Sequence, residues 1–282
     1  MEACRALSRS IHTLTMMKDL KVCLYPQEIV WGEKERNFAS LEEALRRMHP
    51  ATDLMIIPET FSTGCPYGDK ESVRELAERN SGATVERLKE LARRYRVAIA
   101  GSYLADTGGL LGNRAFFIEP NGEEYFADKR HLFTMAGEDK LLSPGDRRLK
   151  VRYRGWEIAM IVCYDVRFPV WCRNVNNEYD LLIAVANWPK ARVGAWKKLL
   201  MARAIENEAY VCGVDCKGKD IKDIEYDGMS MAIDFKGNDI SIQDPDGSDL
   251  LYATLSLDKL NAFREKFPAY RDADSFRIMA DK

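Results

Sequence analysis

The chain is short of the features that would settle its class at a glance. It has only three histidines, His12, His49 and His131, and none lies near Cys212 and Cys216, the close thiol pair that could begin a zinc site. Tetrahedral structural zinc needs two further thiolates or imidazoles nearby, so it is not expected. No apolar run reaches the length of a membrane span. There is no basic block, and the formal net charge is −2, which argues against nucleic acid or an anionic membrane as the main partner. Repeats and low-complexity linkers are also missing, so nothing in the composition divides the chain. The seven cysteines are odd in number and lack paired spacing. That pattern suits a reducing compartment, the cytoplasm, better than a secreted disulfide framework.

What is present is ordinary for a globular chain: 46% hydrophobic and 30% charged residues over 282 positions, enough to bury a sizeable core. Residues 1–17 carry Arg5, Arg9 and several Ser and Thr with Glu2 as the lone acid. They faintly resemble a transit peptide, yet Met16-Met17 stands directly before the first apolar run and offers a simpler start. Residues 1–17 are therefore read as a dispensable extension, and residues 18–282 as one domain.

From there, short apolar runs alternate with longer amphipathic ones. Residues 20–25, 53–58, 97–103, 113–119, 123–127, 149–153, 157–162, 180–186, 210–214, 229–235 and 251–257 read as strands, several of them buried on both faces. Residues 33–48, 84–95 and 195–209 carry helical stripes, short helices are expected over 73–79 and around 170–175, and another begins near Asp258. So many strands with so few helices predict an α/β fold of four layers, a pair of mixed sheets covered by helices on their outer faces, α-β-β-α.

Three of these strands end in reactive residues. Cys163 follows Ile158-Ala-Met-Ile-Val162 and precedes Tyr164-Asp165-Val166-Arg167-Phe168-Pro169. The carboxyl end of a buried strand is where α/β sheets place ligands, although a free cysteine there could equally be core filler. Pro169 disfavours helix at Phe168 and should hold the turn open. Glu59 follows Ile56-Ile57-Pro58, where desolvation tunes a carboxyl group towards proton transfer; alternatively it caps the next segment at the surface. Lys129 sits in Asp128-Lys129-Arg130, either a solvated cluster or a fixed ammonium for a thiolate and an oxyanion. His131 could serve Cys163 as a base, but without a visible Asn or Asp partner it reads as structural.

Taken together, Pro58-Glu59, Lys129-Arg130-His131-Leu132-Phe133 and Cys163 to Pro169 resemble the three signature blocks of the nitrilase, or carbon–nitrogen hydrolase, superfamily. The likeness extends over residues 20–260. Gln27, Trp31, Asn37, Ser143-Pro-Gly-Asp146, Asn187-Trp188-Pro189 and the run from Ala202 to Asn207 add to it, and Trp171 with Arg173-Asn174 resembles the omega-amidase branch. That resemblance implies an αββα sandwich without metal or organic cofactor, a homodimer or higher homo-oligomer, and hydrolysis of the terminal amide of short dicarboxylate monoamides such as 2-oxoglutaramate and 2-oxosuccinamate. It implies Glu59 as general base, Lys129 as electrostatic stabiliser, Cys163 as nucleophile and Glu138 as a supporting carboxylate, with a cysteine thioester on the path.

In this reading the Tyr164 backbone N–H joins Lys129 in holding the oxyanion, and Asn187, Trp188 and Pro189 line the opposite wall, Trp188 facing the acyl chain. Arg192 is a candidate for the substrate carboxylate. Asp165 and Arg167 are read as an internal ion pair that fixes the turn. Hydrolysis of N-carbamoyl amines, of deaminated glutathione or of nitriles uses the same chemistry, and a non-catalytic scaffold is the alternative of another class. Two stretches depart from the family pattern: Cys65 replaces an aromatic residue after Thr63-Gly64, and Val214-Asp215-Cys216-Lys217-Gly218 replaces Val-Asn-Arg-x-Gly. These loops are expected to decide which amide enters.

Overall fold

The computed structural model describes residues 19–278, so the expected extension over 1–17 lies outside the described residues. The first half of the chain builds β1 (Leu20–Leu24), α1 (Lys34–Arg47), β2 (Leu54–Ile56), α2 (Lys70–Leu76), α3 (Ala83–Tyr95), β3 (Ala98–Asp106), β4 (Leu111–Ile118) and β5 (Glu124–Asp128). The second half begins with α4 (Glu138–Leu141), β6 (Leu149–Tyr153), β7 (Trp156–Val162), α5 (Pro169–Cys172), β8 (Leu181–Ala186), α6 (Val193–Asn207) and β9 (Tyr210–Asp215). It closes with β10 (Lys217–Lys219), β11 (Glu225–Asp227), β12 (Met231–Ile233), β13 (Ile242–Gln243), β14 (Leu251–Leu255) and α7 (Leu257–Lys266).

Among the described residues the strands form two large sheets and a separate hairpin. One sheet has the order β13-β14-β1-β2-β3-β4-β5, the other β12-β9-β8-β7-β6, and β10 pairs with β11 alone. β1, β2 and β3 run parallel, as do β7, β8 and β9, and the flanking strands are antiparallel. Alternation along each strand then sends one set of side chains inward and the other outward. Leu20, Val22, Leu54 and Ile56 from one sheet meet Ile158, Met160, Ile183 and Val185 from the other in a shared core. On the outer side Met55, Ile57 and Ile99 pack beneath α1 and α3 through Leu41, Leu45 and Leu88. Ala159, Ile161, Leu182 and Ala184 pack beneath α5 and α6 through Trp171, Trp196 and Leu200. The result is the expected four-layer αββα sandwich.

β8, Leu-Leu-Ile-Ala-Val-Ala, is buried throughout because it has parallel neighbours and a layer on each face. The structure departs from expectation at three places. Helical turns start at Cys163 itself, a 3-10 stretch over Cys163–Arg167, because Asp165 folds back to accept the Val162 N–H at 3.1 Å. Pro169 then opens α5 at its first turn, where a missing N–H costs nothing. α4 and the β10–β11 hairpin were not legible: the one is a single turn, and the hairpin's Lys-Gly-Lys and Glu-Tyr-Asp strands carry no apolar alternation.

Candidate active site

The parallel strands of both sheets point their carboxyl ends to one region, and the loops that leave them carry the reactive residues. Glu59 lies just past β2, Lys129 directly after β5, Cys163 directly after β7 and Asn187 directly after β8. A cavity of about 100 Å³ is lined by Glu59, Lys129, Glu138 and Cys163 on one side, with Cys65 and Asn187 beside them.

Glu59 and Lys129 are each 3% exposed, so neither is the solvated group that its local sequence allowed. Lys129 Nζ donates to Glu59 Oε1 at 3.0 Å and to both oxygens of Glu138, at 3.0 and 2.8 Å. Burial opposes the charge on this ammonium, but the attraction of Glu138 and Glu59 outweighs it and holds the lysine well above its ordinary range. Glu59 is fixed at both oxygens: Oε1 also accepts Asn113 Nδ2 at 2.6 Å, and Oε2 accepts the Asn187 backbone N–H at 2.8 Å. Glu138 is pinned by the Phe133 N–H at 2.6 Å. In such a carboxylate–ammonium–carboxylate chain, removing one member strands another in the interior, which is strongly destabilising.

Cys163 has a φ of +46°, a left-handed conformation that L-residues other than glycine seldom adopt and that concentrates at functional sites. Burial, then the negative Glu59, push its thiol well above the usual range, and Lys129 pulls part of that back. The thiol is therefore protonated at rest, and a base would have to take its proton before it could serve as a nucleophile. As the second residue of the 3-10 turn, Tyr164 presents a backbone N–H with no partner inside that helix.

His131 does not line either space that Cys163 borders. Its backbone N–H and Nδ1 both lie 2.8 Å from Asp165 Oδ1, and its ring stacks on Phe168 at 3.7 Å. This arrangement corrects the expected Asp165–Arg167 ion pair: Asp165 ties the cysteine turn to the His131 segment, and the Arg167 guanidinium sits over the Trp188 ring at 4.7 Å instead. Trp188 itself is buried against Trp196 and, with Tyr164 and Cys163, lines a second space of about 320 Å³ beside the inner cavity. Pro189 and Arg192 border both spaces. The Arg192 guanidinium rests over Phe133 at 5.5 Å.

One contributor escaped the sequence, and another stood in the altered loop without a role assigned to it. Asn113 looked like one more strand residue, although a polar side chain inside an apolar strand already demands a buried partner. Asp215 is 0% exposed; its Oδ1 accepts the Trp188 N–H at 2.6 Å and the Cys216 N–H at 2.9 Å. It thus holds the peptide next to the one that binds Glu59. Burial pushes the Asp215 carboxyl well above the carboxylate range, so the folded state keeps a proton that the unfolded chain releases. Stability linked to this group falls as pH rises above the unfolded value. Asp215→Asn removes that dependence and is expected to gain on the wild type at about pH 8 but not at about pH 4. Denaturant melts at both values check this; a gap independent of pH contradicts it.

The carbon–nitrogen hydrolase family profile matches residues 21–265. The chain is 39% identical over 262 residues to the omega-amidase YafV of Escherichia coli K12, covering 93% of this chain and 100% of that protein. It is 29% identical over 250 residues to the 2-oxoglutaramate amidase of Bacillus subtilis, with 87% and 94% covered. Among solved structures, a carbon–nitrogen hydrolase superfamily protein of Xanthomonas campestris, crystallised with an arsenic adduct in its active site, superposes with a TM-score of 0.86. It is 37% identical, over 93% of this chain and 100% of that one.

Proposed function

The chain belongs to the carbon–nitrogen hydrolase family, and from that premise we propose that it hydrolyses the terminal amide of a short dicarboxylate monoamide to the acid and ammonia. The observation that carries this reading is the buried Glu59–Lys129–Glu138 chain, with its bonds of 2.8–3.0 Å, lining one small cavity with Cys163.

In this mechanism Glu59 accepts the thiol proton as Cys163 Sγ attacks the amide carbon. The C=O electrons move onto oxygen, and Lys129 with the Tyr164 N–H stabilises that oxyanion. Protonated Glu59 gives its proton to the nitrogen, the C–N bond breaks, and ammonia leaves a thioester. Glu59 then deprotonates a water that attacks the thioester, and the thiol is restored on release of the acid. Glu138 keeps Lys129 aimed. Asn187 holds Glu59 by its backbone and forms part of the wall, with Pro189 and Arg192 next to it.

Cavity size and charge support a short acidic acyl group. At about 10–15 Å³ per water-sized group, the inner cavity of about 100 Å³ suits the roughly ten non-hydrogen atoms of 2-oxoglutaramate, and Cys163 also borders an adjoining space of about 320 Å³. Arg192 has no carboxylate among its described contacts, only the Phe133 ring, and its planar fork suits a substrate carboxylate. The names of the two bacterial amidases above agree with this substrate class.

Ammonia release from a panel of omega-amides, carbamoyl amines and nitriles tests the proposal. Turnover should be confined to the short acidic amides, and a preference for carbamoyl amines would overturn it. In the same assay Arg192→Ala should raise KM for 2-oxoglutaramate by about 10–100-fold, the range of a charge-assisted bond, with kcat changed far less. An unaltered KM would remove Arg192 from the site.

A further inference from the structure

The two stretches that depart from the family pattern are not independent. Cys65-Pro66-Tyr67 leaves the Glu59 loop, and β10 and β11 follow Asp215-Cys216, yet the structure fastens one to the other. Tyr67 OH donates to Asp220 Oδ2 at 2.5 Å, and Tyr226 OH donates to the same oxygen at 2.9 Å. The other oxygen, Oδ1, accepts the backbone N–H groups of Lys222 and Ile224 at 2.8 and 2.9 Å. Asp220 is only 6% exposed, so all four bonds are made largely away from water, where a carboxylate without donors would be costly.

A ring stack reinforces the bond. Trp31 lies between Tyr67 and Tyr226, with centroids 6.4 and 5.9 Å away and planes within 21° and 23°. Its Nε1 donates to the Cys65 carbonyl at 3.2 Å. Gly64 makes the approach possible: a Cβ there would fall 2.4 Å from the indole, and its φ is +75°. Cys65, Tyr67, Ile224 and Tyr226 all face the cavity that holds Cys163. The loop and the hairpin therefore form one wall, and Asp220 is its fastening.

We propose that this wall sets the upper limit of acyl length, so that Asp220, Tyr67 and Tyr226 are specificity-determining residues that admit amides of four- and five-carbon dicarboxylic acids and reject longer ones. The proposal rests on the substrate reading above and adds what enforces it. None of the three reaches the reacting atoms through the bonds described, so loosening the wall should change which chain fits and leave the chemistry of the scissile bond in place. The side chain of Asp220 acts through the two tyrosines and is a positioning residue.

The test uses the full chain and two variants. Asp220→Asn breaks the double acceptance, and Tyr226→Phe removes one hydroxyl while keeping the ring and its stacking, so it stays informative if Asp220→Asn fails to fold. The first readout is kcat/KM for the monoamides of succinic, glutaric, adipic and pimelic acids. The wild-type preference for glutaric over pimelic monoamide should fall by about tenfold or more in either variant, the scale of one misfit methylene, chiefly through KM. The second readout does not depend on the natural substrate: the relative rates at which iodoacetamide and N-butyl iodoacetamide alkylate Cys163, located by peptide mapping. The bulky reagent should gain on the small one in both variants. Folded variants with unchanged chain-length and alkylation ratios would overturn the wall. If the wild type cleaves no omega-amide but the alkylation ratio still shifts, the wall stands and the substrate reading fails.

Discussion

Cys163→Ala is expected to lower ammonia release from 2-oxoglutaramate by about 10⁴-fold or more, the scale seen when a covalent nucleophile is removed, with the fold intact. Structurally the change is small: one half-buried sulfur is lost at the end of β7 while the Asp165–Val162 and Asp165–His131 bonds that shape the turn remain. The backbone argues the same point from stability. At a φ of +46° an L-residue pays about 1–2 kcal/mol, a strain that alanine inherits and glycine does not. Cys163→Gly should therefore be the more stable of two equally inactive proteins, by about 1 kcal/mol after glycine's extra chain entropy is set against the relief. Residual turnover in Cys163→Ala within tenfold of wild type would remove the covalent route. A rapid-quench mass spectrum of the wild type should show the acyl adduct on the Cys163 peptide.

Lys129→Met should cost both activity and stability. The ammonium is the shared partner of two buried carboxylates, Glu59 and Glu138. Removing it leaves the two buried carboxylates without the cation they share. Breaking a buried pair in this way costs about 3–5 kcal/mol, which corresponds to a melting shift on the order of 10 °C for a chain of this size. The pH dependence has a definite sign. Because Lys129 is held well above its ordinary range, its contribution is fully present at neutral pH and is lost only as pH rises through that raised value. The deficit of Lys129→Met should therefore be at its full size at neutral pH and shrink only at strongly alkaline pH, and calorimetry across pH checks it. Catalysis should fall by at least about 10²–10³-fold, the scale of losing one oxyanion donor, and a variant that melts like wild type would show that the network carries no stability.

The hydrolytic chemistry was readable through the resemblance of three short blocks to the carbon–nitrogen hydrolases, and local order placed those blocks. A strand stops, and the next residue is reactive: the buried apolar run Ile158 to Val162 then Cys163, and the half-buried residues 124–128 then Lys129. Periodicity locates such ends, and α/β architecture explains why they hold function. The layering was readable for the same reason, since runs such as Leu181–Ala186 are apolar on both faces.

Whether those ends meet is a different matter. Glu59 and Asn187 are 128 positions apart, and Tyr67 and Asp220 are 153 apart; no local pattern encodes contacts at such separations. Only the packing of two sheets brings them together. That packing turned the ambiguous Lys129 into a buried ammonium and reassigned Asp165 from Arg167 to His131. It also joined the two unusual loops into one wall through Asp220. By itself, then, the sequence determined which residues stand at the ends of buried strands, because alternation and burial act over a few residues. The tertiary structure decided their partners, their charge states and the room left for substrate, because Coulomb attraction, desolvation and cavity shape depend on distance in space.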